Sequence, residues 1–272
     1  MRTQDKTLKE KIIKDLLQTG FPLEVSISNT LRTLEWTVTN SPLYVDPEDK
    51  TTRELDIYAL KIYSETPSAS VFKNDPFLFS HLIIQCKKSA KPWVFFDNAG
   101  EEPYWVGFYS IKCDNTDIIP RLCSDTDVVR LTDHRYKKIK RHRSFHIFDN
   151  AGKKQSGNKD IYESLITSCK ALEYYKNMYA AGSVIHVLTP VIILDGTSLW
   201  SASLDKKSKI SLKKVPSLIV KFDYIFGDKK PSSLNYQFVE IITQEYFKKN
   251  LKLIEADNSR ILKSWSNYYK AA

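Results

Sequence analysis

Two polar residues stand at the end of a mostly hydrophobic stretch of this sequence. Gln85 and Lys87 follow the apolar run that begins at Leu78, and Cys86 separates them. Successive side chains of a β-strand point to opposite faces, so a strand here would place Gln85 and Lys87 side by side on one face. Asp56 lies in an earlier strand-like stretch, and pairing of the two strands would bring its carboxylate beside them. The sequence therefore predicts a carboxylate, an amide oxygen and an ammonium in one cluster.

This combination of groups suits a hard divalent cation and a phosphate. Mg²⁺ prefers oxygen ligands, and proteins usually supply one or two carboxylates while water and substrate phosphate fill the remaining positions. Asp56, Gln85 and Glu24 are the candidate oxygen donors, and Mn²⁺ is an acceptable substitute for Mg²⁺. Lys87 would orient the attacking water and offset the charge that develops on the phosphate. The chemistry expected is metal-assisted hydrolysis of a phosphodiester.

The hydrophobic pattern indicates which elements would carry these residues. Two helices are expected first, one over residues 5–17 and a second that opens at Pro22 with Glu24 in its first turn. The apolar stretch 78–86 predicts a strand buried on both faces, as in a sheet covered by helices on both sides. The later elements are a helix at 159–181, strands at 184–194, 218–226 and 236–242, and a helix at 244–268.

The stretch between the second helix and the long strand predicts a β-hairpin. Strand-like residues at 43–45 and 54–60 flank the turn sequence Asp46-Pro47-Glu48-Asp49. Asp56 would lie in the second strand of the hairpin, and Glu54 on the same face is either a contributor to metal binding or, as the preferred interpretation, a surface carboxylate paired with Arg53 or a lysine. This hairpin would pair with the strand that ends in the Gln-x-Lys element.

The order of these elements and their polar residues resembles the PD-(D/E)xK nuclease superfamily, the restriction-endonuclease-like proteins. The matching parts are the helix with Glu24, the strand with Arg53-Glu54-Leu55-Asp56, and the strand that ends in Ile84-Gln85-Cys86-Lys87-Lys88. The Gln-x-Lys element is similar to that of the Mrr-like restriction endonucleases, and Gln85 stands where the superfamily usually has Asp or Glu. The resemblance assigns Asp56, Gln85, Lys87 and Glu24 to the catalytic site.

The resemblance also implies the fold class, which is α/β with an α-β-β-β-α-β core, a mixed central sheet and helices on its flanks. We expect one nuclease-like domain over residues 1–272. No linker rich in Pro, Gly or Ser precedes the C-terminal part, which favours an enlarged single domain. The expected divisions are a core at 5–96 and 159–204, a large insertion at 97–158, and a C-terminal α/β extension at 205–272.

The charge balance suits a polyanionic partner. The chain carries 41 Lys and Arg against 32 Asp and Glu, a net charge of +9, and each contact between a cation and a phosphate releases counterions. A basic run at 135–143 includes an aromatic residue, which suits phosphate contacts and stacking, although a solvated surface would have the same composition. The candidate DNA-binding residues are Lys88, Arg135, Lys137, Lys138, Lys140, Arg141 and Arg143.

Other features exclude several classes of protein. No stretch approaches the roughly 20 apolar residues of a membrane span, and the charged N-terminus has no apolar signal region after it. The four cysteines form no CxxC pair and have no zinc-ligand spacing, so reduced thiols and a cytoplasmic location are expected.

The function expected from these features is metal-dependent DNA cleavage by an endonuclease in defence, repair or mobile-element processing. A homodimer would suit cleavage of both strands. Gln85 keeps an alternative open, namely a nuclease fold without cleavage that binds nucleic acid or scaffolds a complex.

Overall fold

Helices and strands alternate along the chain in a mixed α/β arrangement. The computed structural model describes residues 2–64, 77–97, 110–112, 141–147, 158–179, 184–205, 209–227 and 236–271. Four helices lie in these residues: α1 (Arg2–Gln18), α2 (Phe21–Thr33), α3 (Asn158–Met178) and α4 (Gln244–Ala271). The strands are β1 (Thr37–Asn40), β2 (Leu43–Val45), β3 (Thr52–Glu54), β4 (Ile57–Ser64), β5 (Phe77–Lys88), β6 (Trp93–Asp97), β7 (Ser110–Lys112), β8 (Arg141–Ile147), β9 (Val184–Asp195), β10 (Leu199–Leu204), β11 (Ile210–Lys214), β12 (Ser217–Asp223) and β13 (Tyr236–Thr243).

Eleven strands form one mixed sheet. Its order is β1-β4-β5-β9-β13-β12-β8-β6-β10-β11, and β7 pairs with β9 outside this path. Strand β4 runs antiparallel to both β1 and β5, whereas β5, β9 and β13 are mutually parallel where they pair. The two long parallel strands β5 and β9 are thus neighbours at the centre of the α/β part, and their ends are at the same edge.

Strand β5 is buried on both faces, as its sequence predicts. Leu82 and Ile84 pack on one face in a core with α2 and α4, which contribute Ile27 and Phe247. Ile83 points to the opposite face and packs with residues of α3 and of β2. The strand therefore lies between two helical layers, and its residues from Ser80 to Cys86 are all buried.

The predicted hairpin is present at its turn, where β2 pairs with β3, but its second strand does not continue through Asp56 as predicted. Strand β2 pairs with β3 in a separate two-stranded sheet, whereas β4 pairs with β1 and β5 in the main sheet. The chain bends at Asp56, between β3 and β4, instead of passing through it as one strand. Long-range hydrogen bonds fix the bend, because the Asp56 carbonyl accepts from the Ser41 N–H at 2.9 Å and the Asp56 side chain also accepts a backbone N–H.

Two further boundaries differ from the sequence prediction. The strand predicted to reach residue 226 ends at Asp223, because its antiparallel partner β13 begins at Tyr236, the residue paired with Asp223. The last part of the basic run, Arg141 to Arg143, belongs to strand β8, which pairs with β6 and β12 of the main sheet. His142 in this strand is buried and shares a 2.8 Å hydrogen bond with Ser201.

A buried ion-pair network fastens the β2–β3 turn to helix α3. The Asp46 side chain is fully buried, and one of its oxygens is 2.9 Å from the Lys170 ammonium and 2.6 Å from Nε of Arg53. Lys170 also lies 2.7 Å from the carboxylate of Glu48, which accepts a hydrogen bond from the Tyr224 hydroxyl. One lysine of α3 thus neutralises two carboxylates of the turn that precedes Asp56.

A second buried polar group lies between β4, β5, β9 and the end of α3. The Tyr58 hydroxyl is 2.6 Å from Nδ1 of His81, and Nε2 of His81 is 2.9 Å from Nδ1 of His186. Tyr58 also shares a hydrogen bond with the Tyr179 hydroxyl. His81 is fully buried, and burial together with the neighbouring His186 lowers the pKa of His81 to about 3.

We predict that the free energy of unfolding falls in acid because of His81. Because its pKa is below the value of about 6.5 in an unfolded chain, His81 stabilises the fold fully above that pH and loses the contribution as pH falls towards 3. Between pH 7 and pH 5 this residue should remove on the order of 2 kcal/mol from the free energy of unfolding. Urea titrations of the parent and of His81→Gln at both pH values measure it. An equal pH dependence in the two proteins would contradict the assignment.

In the part of the chain that the structure describes, no helix is long and apolar enough to cross a membrane. Cys86 and Cys169 are buried free thiols, and Cys113 and Cys123 lie outside the described residues.

Candidate active site

Three of the predicted site residues are brought together by elements far apart in sequence. Strand β5 carries Gln85 and Lys87 at its end, and the bend before β4 carries Asp56. The Asp56 carboxylate accepts a 2.6 Å hydrogen bond from the backbone N–H of Cys86, which directly joins the bend to the Gln-x-Lys element. Ile57, the first residue of β4, pairs with Ile84 in the antiparallel register of β4 and β5. Asp56, one residue before Ile57, is therefore opposite Gln85, one residue after Ile84.

Glu24 joins this cluster from the first turn of α2. Pro22 near the start of this helix needs no N–H partner, and a carboxylate at this end interacts favourably with the helix dipole. Leu23 and Ile27 anchor the helix in the core beside β5. This anchoring leaves the half-buried Glu24 side chain close enough to Asp56 and Lys87 to interact electrostatically with both.

The carboxylates of the cluster repel one another. Burial raises the pKa of Glu24, and the nearby charges of Asp56 and Glu54 raise it further, while Lys87 opposes this effect. Burial also raises the pKa of Asp56, against the hydrogen bond from Cys86 and the charge of Lys87. Three carboxylates thus surround one ammonium, and the surplus negative charge favours an additional cation at this place.

Gln85 contributes a buried oxygen that lacks a hydrogen-bond partner. The residue is only 3% exposed, and its Oε1 accepts no hydrogen bond within the described part of the chain. A buried polar atom without a partner costs about 1–3 kcal/mol, and six other buried side-chain atoms of the described residues share this property, so it is the position of Gln85 beside Asp56 and Lys87 that singles it out. Alternation along β5 puts Gln85 and Lys87 on the same face, opposite to that of Ile84 and Cys86.

Comparisons with protein-family models, with curated proteins and with solved structures find no match to this chain. The geometry of the cluster is therefore the basis for the chemistry considered below.

The lysines at the end of β5 have different surroundings. Lys87 is half-buried and forms no ion pair or hydrogen bond with the other residues that the structure describes. Lys88 is exposed, and its ammonium donates a hydrogen bond to the carbonyl oxygen of Leu17 at the end of α1. Lys87 is therefore the cation available to the carboxylate cluster, whereas Lys88 lies at its border.

The remaining candidate DNA-binding residues are only partly located. Arg141 and Arg143 belong to β8 of the main sheet, while Arg135, Lys137, Lys138 and Lys140 lie outside the described residues. The structure thus gives no basis for treating the basic run as one surface.

Within the described ranges, no group of three or more His, Cys, Asp or Glu side chains is arranged to hold a metal ion. A site here would have to use the Gln85 oxygen as well as the carboxylates. Glu54, interpreted from sequence as a surface carboxylate, is exposed but close enough to raise the pKa of both Glu24 and Asp56. Its position two residues before Asp56 was the only sequence signal for this effect.

Proposed function

We propose that this protein is a metal-dependent endonuclease of the restriction-endonuclease-like type that hydrolyses phosphodiester bonds in DNA. The observation that carries the proposal is the cluster at the end of β5. Asp56 is hydrogen-bonded to the Gln-x-Lys element, and among the residues that the structure describes Gln85 has a buried oxygen without a hydrogen-bond partner and Lys87 has no ion pair. These are the groups that hydrolysis of a phosphodiester with a bound cation requires.

The order of the elements supports the same proposal. Helix α2, strands β1, β4 and β5, helix α3 and strand β9 occur in the order α-β-β-β-α-β, with the small β2–β3 sheet inserted between β1 and β4 and strands β6 to β8 inserted between β5 and α3. This is the order of the core that the superfamily resemblance implies. Gln85 and Lys87, which match the superfamily motif, lie at the end of β5, the third strand of this order. Asp56 lies directly before β4, the second strand.

The types of donor atom in the cluster suit a hard divalent cation such as Mg²⁺, with Mn²⁺ as a substitute. Asp56 and Glu24 offer carboxylate oxygens, and Gln85 offers a neutral oxygen that is already desolvated. When bound, such a cation polarises a phosphoryl oxygen and lowers the pKa of a coordinated water. The raised pKa values of Asp56 and Glu24 also mean that cation binding, which needs ionised carboxylates, weakens with acid earlier than at ordinary carboxyl groups.

The residues of the chain would divide the remaining tasks. Lys87 would hold the attacking water in line with the phosphorus and stabilise the negative charge that builds on the phosphate oxygens. The Cys86 N–H holds the Asp56 carboxylate in a fixed orientation, so no reorganisation is needed during the reaction. The net charge of +9 would favour the encounter with a polyanion such as DNA.

The variant Gln85→Glu tests the role assigned to the amide. A third carboxylate in place of the neutral oxygen should tighten Mg²⁺ binding by about tenfold or more and keep or raise cleavage, because the negative charge adds to that of Asp56 and Glu24. Calorimetric Mg²⁺ titration and plasmid cleavage with Mg²⁺, Mn²⁺ or chelator measure the two effects. Gln237→Glu, on strand β13, is the matched control with the same chemical change. Unchanged Mg²⁺ affinity in Gln85→Glu would remove residue 85 from the cation site.

One observation favours a second function, nucleic-acid binding without cleavage. Position 85 carries an amide, and a carboxylate there would bind a cation more strongly. The same experiment separates the two functions. A parent protein that binds DNA but cleaves neither plasmid nor branched DNA with either metal, together with a Gln85→Glu variant that cleaves, would support this second function.

A further inference from the structure

Helix α1 has an apolar face that nothing in the described part of the chain covers. Its five large aliphatic side chains are between 46% and 57% exposed: Leu8, Ile12, Ile13, Leu16 and Leu17. In the adjacent helix α2 the corresponding apolar residues are at most 2% exposed: Leu23, Ile27 and Leu31. The contrast shows that α2 belongs to the core, whereas α1 presents its apolar side chains to solvent.

The spacing of these residues makes a continuous stripe. At about 100° per residue the five side chains span roughly half of the helix circumference, and they extend about 14 Å along its axis. An apolar surface of this shape is a typical contact for another helix. One charged residue, Lys9, lies within the stripe, and Glu10 and Asp15 border it on its two sides.

We propose that α1 is a self-association surface and that it pairs antiparallel with α1 of a second copy of this chain. When an antiparallel pair is centred between Ile12 and Ile13, two residues at the same level along the helices have numbers that add up to 25. Lys9 then faces Leu16 of the other copy, near the middle of the stripe.

The charges decide the direction of pairing and the kind of partner. Parallel pairing in register would bring the two Lys9 ammonium groups together in the middle of the apolar stripe, which like charges oppose. In the antiparallel pair, Lys11 of one copy lies alongside Asp15 of the other, on the same border of the stripe. Because Glu10 and Asp15 border the stripe, an anionic membrane surface is a poorer partner than a second helix, since membrane-bound helices place basic residues there.

Self-association would also join two copies of the candidate active site. The end of α1 accepts a hydrogen bond from Lys88, which directly follows the Gln-x-Lys element, so a contact at α1 lies close to the site. Two sites in one assembly would permit cleavage of both strands of a duplex. Only this consequence rests on the proposed function, because the pairing of α1 needs neither metal nor DNA.

Sedimentation velocity of the full chain, without metal or DNA, tests the proposal. We expect a monomer–dimer equilibrium between about 1 and 200 μM. Ile12→Glu should weaken it by about 100-fold or more, because two carboxylates would be buried at the centre of the pair. Gln18→Glu adds the same charge to an exposed polar position of the same helix and should leave the equilibrium unchanged. Lys9→Leu should tighten it about tenfold, since an apolar side chain replaces the lysine in the stripe.

Several outcomes would overturn the proposal. A parent that stays monomeric over this range has no self-association surface, and binding of that monomer to anionic vesicles would assign α1 to a membrane instead. A dimer that Ile12→Glu leaves intact uses another surface. Circular dichroism confirms that the variants remain folded.

Cross-linking tests the direction of pairing. A mixture of Lys9→Cys and Leu16→Cys proteins should form a disulfide under mild oxidation that neither variant forms alone, with the parent as control for its own cysteines. A disulfide in Lys9→Cys alone would show parallel pairing and contradict the antiparallel arrangement.

Discussion

Asp56→Asn is expected to abolish metal-dependent DNA cleavage, by at least about 10³-fold, while the folded protein becomes as stable as the parent or more stable. The amide cannot supply the anionic oxygen on which cation binding depends. It can still accept the hydrogen bond from the Cys86 N–H, so the bend before β4 is kept. Because burial raises the pKa of Asp56, its ionised form is unfavourable in the folded protein, and removal of the charge relieves that cost.

Four measurements test this expectation: plasmid cleavage with Mg²⁺ and with Mn²⁺, calorimetric metal titration, and thermal unfolding. Asp160→Asn, an exposed position in the first turn of α3, removes the same charge outside the cluster and serves as the matched control. Loss of cleavage accompanied by loss of folding would show a structural role for Asp56. Full activity of Asp56→Asn would remove it from the site.

Lys87→Ala separates cation binding from stabilisation of the transition state. Its ammonium makes no ion pair with the residues that the structure describes, so the variant should bind metal and DNA nearly as the parent does, yet lose cleavage to a similar extent as Asp56→Asn. Lys88→Ala is the neighbouring control, and it should retain the chemical step because Lys88 contacts the end of α1. Cleavage by Lys87→Ala at the parent rate would contradict the role assigned to this lysine.

The strands at the centre of the fold were predictable because their sequences are strongly apolar. A stretch such as residues 78–86 cannot be placed at a surface, and the 12-residue strand β5 is indeed buried on both faces. The Gln85 and Lys87 pair follows from the same alternation of side chains. The burial of β5 and the shared face of Gln85 and Lys87 depend on local sequence pattern alone, so both could be predicted from the sequence.

The bend at Asp56 was not predictable in the same way. Its geometry depends on hydrogen bonds to Ser41 and Cys86, which are 15 and 30 residues away, and no local pattern records them. The buried His142 in a basic, polar stretch is a similar case, since its partner Ser201 is 59 residues distant. Sequence reasoning named the candidate site residues, but the backbone that orients them could be seen only in the tertiary structure.

The ion pair between Lys170 and Asp46 is a further long-range example, because 124 residues separate its partners. Burial alone would raise the pKa of Asp46. Hydrogen bonds from Lys170, from the Glu48 N–H and from Arg53 instead hold it below its usual value. A carboxyl group with a lowered pKa stabilises the fold at neutral pH, and that contribution is lost as the pH falls below about 4.

Lys170→Met should therefore destabilise the protein by about 3 kcal/mol, because it leaves the fully buried Asp46 carboxylate with less compensation and places Glu48 beside it without a shared cation. For a chain of this size the melting temperature should fall by roughly 6–12 °C. Lys159→Met on the same helix is the matched control. Its ion pair with Glu163 is exposed on both sides, so its loss should cost less than about 0.5 kcal/mol.

The double variant Lys170→Met with Asp46→Asn distinguishes the ion pair from simple loss of packing. If the unpaired charge of Asp46 causes the instability, the amide should restore a substantial part of the lost free energy in this background, since no buried charge then remains at position 46. Urea titrations of the four proteins of this cycle at pH 7 give the coupling energy. Equal melting temperatures for Lys170→Met and Lys159→Met would show that the network does not hold the β2–β3 turn on α3. The bend that carries Asp56 would then depend on its own hydrogen bonds to Ser41 and Cys86.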